Sequence, residues 1–246
     1  MATDINEKEF KSILTRVFSE NGLSSLLSAE RSDLFYRLTA RMLTENEKYN
    51  LTAITDPYKI ILNHYADCAM LSSRLKKNSD VIDVGCGAGF PTLPLAIVRP
   101  DLKIVAMDST EKRVNYVRES AALLGLTNVT CVVMRAEDAG KSPDHREKYD
   151  YATARAVAEL RVLSELCLPL VKVDGQMVAM KGKNAGFELA SAKRAISMLG
   201  GRGASLEEIV LKGDADASHP LIVIDKKEKT PAQYPRVYSQ ISKKPL

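Results

Sequence analysis

The chain is short of the residues that most often announce a chemistry. Only three histidines occur in 246 residues, and no acid–base pair stands out around them, so a reaction that needs a histidine general base has little support. The four cysteines, Cys68, Cys86, Cys131 and Cys167, are widely spaced and form no Cys-x-x-Cys pair. That spacing suits neither a disulfide framework nor a zinc site, no metal is expected, and small buried thiols in a reducing cytoplasm fit it. No apolar run approaches the ~18 residues of a membrane-crossing helix. The opening MATDINEKEF lacks the basic-then-apolar pattern of a secretory leader, so a cytoplasmic protein with no membrane partner is expected. Net charge is also small, +4, but unevenly placed. Between Asp225 and Leu246 stand six Lys/Arg against two Asp/Glu, while the remainder balances at 29 against 29. A basic tail suits a polyanionic partner, and a solvated, frayed terminus would look the same.

What is present has two textures. Residues 1 to about 75 read as helices: Leu27, Leu34, Leu38 and Met42 recur at helical spacing, and a second helical stretch starts at Pro57 with KYNLTAITDP as a loop between them. From residue 80, short β-branched runs alternate with helical patterns, beginning DVIDV, PLAIVRP, KIVAMD, EKRVNYVRESAALLG. Such alternation predicts a parallel sheet with helices on both faces. Two last runs, SLEEIVLKG and PLIVIDKKEK, are separated only by DADAS and are expected to pair antiparallel at the sheet edge. Seven strands, the last antiparallel, resemble the α/β layout of class I methyltransferases, a Rossmann-like fold.

Between the first strand and its helix lies VGCGAGFPTLPL. Gly85, Gly87 and Gly89 permit positive φ and a close approach of backbone to ligand. The dinucleotide fingerprint requires G-x-G-x-x-G, and here the sixth position is Phe90, followed by Pro91. A bulky ring and a residue without an N–H sit where a pyrophosphate needs free donors, which favours S-adenosylmethionine over a nicotinamide dinucleotide; a tight structural turn is the plainer alternative. Asp108, about 20 residues on, can accept from ribose hydroxyls, with Ser109 beside it. In RAED, Ala136 can lie beside an adenine, and Glu137 or Asp138 can accept from its amino group or simply cap a helix. Asp83 is expected to face the methionine amino group. Three carboxylates at successive strand ends would line the edge where such sheets bind ligands.

Taken in order, YNLTAITDP, HYADC, DVGCGAGFPTLPLAI, MDSTEKRVNYV, NVTCVVMRAED, ATARAVAEL, CLPLVKVDGQMVAMKGK and YPRVYSQISKKPL resemble the RsmG (GidB) family of ribosomal small-subunit guanine-N7 methyltransferases over nearly the whole chain. The resemblance implies a helical extension, 1–75, packed on a methyltransferase domain, 76–246. It also implies a cofactor pocket using Gly85, Phe90, Asp108, Ala136, Glu137 and Arg155, and methyl transfer to N7 of a guanine in the 530 loop of 16S rRNA, free or in a small-subunit precursor. Cys86 and Thr92 replace a small hydroxyl residue and a glycine, and Ser239 and Ile241 replace a glycine and a proline, of that pattern.

Guanine N7 has a lone pair and no proton at neutral pH, so it can attack a sulfonium methyl in line without an obligatory base, and catalysis would rest on alignment. No catalytic residue is assigned firmly. Asn50 and His64 can wall the base pocket, although a lone His on an amphipathic helix is more often structural. Arg155 can grip the substrate, border the cofactor or pair a carboxylate; the resemblance assigns it to the cofactor. Lys181 and Lys183 are candidate phosphate contacts that would look the same as solvated lysines. Cys167 lies inside a helical pattern, away from any loop where a cytosine-C5 nucleophile would stand, and is expected in the core. Asn-Pro-Pro-Tyr and Tyr-x-x-x-Lys motifs are absent, which counts against amino-group methyltransferases and dehydrogenases. A methyltransferase for another RNA site or a small molecule, and a ribosome-binding protein without catalysis, are the rival readings. A monomer is the default expectation.

Overall fold

A computed structural model describes residues 6–213 and 219–246. Two long helices come first. α1 (Glu7–Glu20) starts at Asn6, whose side chain accepts from Glu9 N, and buries Phe10, Leu14, Val17 and Phe18. α2 (Ala29–Tyr49) is capped by Ser28, which accepts from Arg31 N, and ends at Asn50 in the left-handed region. A helical rod follows, made of α3 (Pro57–Ile60), a π-helical stretch (Ile61–Ala66) and α4 (Asp67–Met70). Asp56 caps it by accepting from Lys59 N, with Pro57 at the first turn, where its missing N–H costs nothing.

Among the described residues the sheet has seven strands in the order β3-β2-β1-β4-β5-β7-β6. They are β1 (Asp80–Val84), β2 (Lys103–Asp108), β3 (Val129–Val133), β4 (Tyr149–Arg155), β5 (Val171–Met180), β6 (Gly201–Glu207) and β7 (Leu221–Lys226). Pairings among β1 to β5 are parallel; β7 runs antiparallel to both β5 and β6. The crossovers carry α5 (Thr92–Val98), α6 (Glu111–Leu124), α7 (Ala136–Ala139), α8 (Leu160–Cys167) and α9 (Ala185–Met198), and α10 (Tyr238–Lys243) closes the chain.

Successive strand residues point to opposite faces. Val81, Ala106, Val178 and Val223 join a core with α1, α2 and α6, while Ile82, Met107, Ala179 and Ile222 join a second core with α8, α9 and the C-terminal segment. Both faces are covered, which is why the strands read as near-continuous apolar runs.

The sixth strand corrects the sequence expectation. It spans Gly201–Glu207 rather than SLEEIVLKG: Glu207 pairs with Leu221, the first residue of β7, and the ladder ends at that pair. Gly200, at φ +86, lets the chain turn directly out of α9. DADAS, expected to link the last strands without a helix, lies outside the described residues. Cys68, Cys86 and Cys167 are buried, Cys167 in the second core, and Cys131 is half-buried. Burial pushes the Cys68 thiol up to about 12, so it stays protonated.

Candidate active site

The carboxyl ends of β1, β2 and β4 open into two clefts that share Gly85, Arg113 and Ala156. One, about 360 Å³, is lined by Met107, Asp108, Ser109, Ala136, Glu137 and Tyr238 among others. The other, about 440 Å³, is lined by Asn50, Thr52, His64, Gly87, Phe90 and Arg155 among others. Both are of the size that holds a small ligand. The glycine loop between them follows from its conformation. Gly85 has φ +74, a conformation that side-chain-bearing residues rarely adopt, and a Cβ there would also come within 2.7 Å of a Val157 methyl.

Asp108 ends β2 and is 6% exposed. Its Oδ2 accepts from Gly87 N (3.1 Å) and its Oδ1 from Thr110 N (2.8 Å), with Arg113 Nη1 3.6 Å away. An ionised carboxylate has about four acceptor positions, so the two N–H bonds leave capacity for the two hydroxyls of a ribose. Glu137, buried in the first turn of α7, faces the same cleft, and no side chain caps that helix, which sets aside the capping alternative for Glu137 and Asp138.

The second cleft is walled by the loop after α2 and by the π-helical stretch. Asn46 brackets Thr52 in that loop, donating to its carbonyl (3.0 Å) and accepting from its N–H (2.9 Å). Thr52 Oγ1 accepts from Ile54 N (3.0 Å) and meets His64 Nε2 at 3.0 Å. On the other side of the imidazole, Arg155 Nη2 lies 3.1 Å from Nδ1 and 2.8 Å from the Asn63 carbonyl. Nδ1 also lies 3.1 Å from the Asn63 carbonyl, so both ring nitrogens have partners whichever of them carries the proton. Burial and then the neighbouring Arg155 lower His64 to about 4, which holds the ring neutral. His64 stacks on Phe90 at 4.4 Å between centroids, and Arg155 lies 5.9 Å from the centre of the Phe90 ring. Buried Asp67 steadies the guanidinium from behind at 3.6 Å, and its other oxygen lies 3.1 Å from His219 Nδ1.

Gly85, Gly87, Phe90, Asp108, Ser109, Ala136, Glu137, Arg155, Asn50 and His64 thus line one or other cleft. Five expected residues, Asp83, Gly89, Asp138, Lys181 and Lys183, do not, and Asp138 is exposed. Asp83 is 1% exposed beneath the clefts, accepting from Thr92 (2.6 Å) and Thr153 (3.3 Å), and burial raises its carboxyl to about 6. It lines neither cleft and is tied to the loop instead, and Thr92, where a glycine was expected, supplies the shorter bond. Gly89 is buried against Leu93 and Val117, its φ of +86 serving the turn into α5. Lys181 is no exposed phosphate contact: its ammonium is 2.6 Å from Glu188 and donates to the Ala158 carbonyl at 2.7 Å, with 8% of its side chain exposed. It lines a third cavity of about 520 Å³ with Asp67, Arg155, Glu159 and His219. Lys183 is exposed.

Sequence reasoning missed Arg113, Asp67 and Tyr238. The first two lie within a few positions of Ser109 and His64, whereas Tyr238 reaches its cleft only because the C-terminal segment folds back. That segment is not frayed. Ile241 is fully buried, and Arg236 grips Glu165, itself 0% exposed, through Nε (2.9 Å) and Nη2 (2.6 Å). Ser239 and Ile241, the two departures from the expected tail, both lie inside α10, where glycine and proline would each weaken a helix.

Against known proteins, the profile of the family described as rRNA small subunit methyltransferase G matches residues 31–215. The chain belongs to that family. A ribosomal RNA small subunit methyltransferase G from Clostridium perfringens is 46% identical over 203 residues, covering 82% of this chain and 84% of its own. One from Acetivibrio thermocellus is 42% identical over 243 residues, covering 98% of this chain and all of the relative. Among solved structures, a SAM-dependent O-methyltransferase from Thermotoga maritima has a TM-score of 0.52 at 16% identity, covering 76% of this chain and 72% of that one. TYW2 of M. jannaschii in complex with AdoMet has a TM-score of 0.51 at 17% identity, covering 64% of this chain and 72% of that one. These likenesses show the class I methyltransferase fold for the rRNA small subunit methyltransferase G family member described here.

Proposed function

We propose that the protein transfers a methyl group from S-adenosylmethionine to N7 of a guanine in the 530 loop of 16S rRNA. The observation that carries the reading is the union of family membership with a cleft whose acceptors suit a nucleoside. The residues fit the donor: Asp108 has two acceptor positions left for a ribose, Glu137 lines the same cleft, and Gly85 lines both clefts. Bound there, S-adenosylmethionine supplies an electrophilic methyl on a sulfonium sulfur, and guanine N7 takes it as the carbon–sulfur bond breaks. TYW2, a neighbour of the same fold, was solved with AdoMet.

The wall opposite the glycine loop supports a reaction without a general base. Both nitrogens of His64 are engaged, and the ring stays neutral with no lone pair to spare. Its work is to hold Phe90 and Arg155 in place. A methylated guanine ring is cationic, and Arg155 can border it because Asp67 offsets its charge. Residues 1–75 serve as the substrate-side wall of a methyltransferase unit formed by 76–246, Asn50 and His64 being its contributions to the cleft.

Incubation with naked 16S rRNA and with assembled small subunits, using methyl-labelled donor, followed by mapping of the modified nucleotide, tests the reading. Label at a guanine N7 in the 530 loop is the expected result. Label on another atom or region, or on a small molecule only, overturns it.

A further inference from the structure

We infer that the C-terminal segment is a built strap that completes the donor cleft, and that Tyr238 is its ligand-binding residue, an aromatic face for the adenine. The inference rests on the methyl-donor reading above and adds a residue from the C-terminal segment, far along the chain from Leu166, the next residue of that cleft.

The strap is fastened along its length. Arg146 donates to the carbonyls of Thr230 (2.6 Å) and Tyr234 (2.8 Å), and Lys141 to that of Ala232 (2.7 Å). Thr230 N donates to Glu147 at 2.8 Å. Pro235 packs so closely on Gly140 that a Cβ there would sit 2.8 Å from its ring. Beyond it, Arg236 donates to buried Glu165 from its backbone N–H as well as its guanidinium, and to the Lys244 carbonyl at 3.1 Å. Ile241 then sinks into the second core. Between these two anchors the chain has one aromatic side chain, and it lines the cleft with Asp108, Ala136 and Glu137.

Tyr238 is 43% exposed. A ring that packed for stability would be covered, and one without a task would not be held at the rim of a cleft by fastenings on both sides. Adenine is flat and π-faced, and stacking on an aromatic side chain is its sequence-independent mode of recognition. In this reading the acidic acceptors of the same cleft take its edge and its ribose, and the tyrosine covers a face. The strap thereby couples donor affinity to residues far from the glycine loop.

The test is calorimetric titration of the full-length protein with S-adenosylhomocysteine and with 5′-methylthioadenosine, which keeps the nucleoside and lacks the amino-acid end. Tyr238→Ala is expected to raise Kd for both by about tenfold, the order of one lost base–aromatic stack, while Tyr238→Phe stays within about twofold. Thermal midpoints of both variants should match wild type, since the side chain is half in solvent. Wild-type affinity in Tyr238→Ala, or a loss confined to S-adenosylhomocysteine, overturns the inference while leaving the methyl-donor reading intact. A wild-type protein that binds neither compound overturns both.

Discussion

Replacing Arg236 with alanine strands a carboxylate inside the protein. Glu165 has no exposed surface, and its two oxygens accept from Arg236 N, Nε and Nη2 at 2.9, 2.9 and 2.6 Å. The substitution removes the two side-chain bonds and the compensating charge, leaving one backbone N–H to hold a desolvated anion. Breaking a buried pair in this way costs about 3–5 kcal/mol, against about 0–1 kcal/mol for an exposed one. For a chain of this size each kcal/mol moves the thermal midpoint by ~2–4 °C, so a drop of roughly 10 °C is expected. Urea denaturation of Arg236→Ala should show the loss as a shifted midpoint, and adding Glu165→Gln should recover about half, since the stranded charge has gone. A loss under about 1 kcal/mol, or no recovery in the double variant, would show that the tail is held by Ile241 and the carbonyl contacts alone and that the ion pair is incidental.

Two other substitutions test the site. Asp108→Ala should raise Kd for S-adenosylhomocysteine at least about 100-fold with an unchanged circular dichroism spectrum, because two hydrogen bonds to an ionised group are lost; retained affinity would misplace the ribose. His64 and Asp83 should give opposite pH slopes. His64 is lowered to about 4, so the unfolded chain binds its proton first and stability falls as pH drops from about 6.5 to 4. Asp83 is raised to about 6, so the unfolded chain releases its proton first and stability falls as pH rises from about 4 to 6. Each contributes on the order of 3 kcal/mol. Relative to wild type, Asp83→Asn should therefore lose stability on acidification and His64→Gln should gain it; matching slopes in urea titrations would refute the assignment.

Much of this was legible in the chain and some was not, for physical reasons. KIVAMD could be read as β2 because a strand buried on both faces must be apolar almost throughout. Asp108 could be placed because it ends that strand. Asp83 misled, since it precedes the last residue of β1 and is turned inward between Thr92 and Thr153, so a carboxylate near the edge is not one at the edge. Lys181 misled because its partner Glu188 arrives one turn into the next helix, a pairing that no local pattern records. The tail read as a basic charge run, yet Lys226 is fully buried, donating to Leu168 O and Thr230 Oγ1 at 2.7 and 2.6 Å, and Arg236 is spent on Glu165. Charge counted along a sequence overstates what reaches solvent.

The π-helical stretch Ile61–Ala66 has a bearing on which length changes this lineage can tolerate. Removing one residue from an ordinary α-helix swings everything beyond it by about 100° and exposes its core face. Here a wide turn already holds one residue more than an α-helix needs, so losing one would tighten the backbone to regular geometry and leave Asp67–Met70 facing as before. The casualty would be the placement of Asn63 and His64 against Arg155. A deletion that the fold absorbs most easily is thus one that dismantles the wall of the cleft, and shortened chains that fold without methylating are the form in which that history would surface.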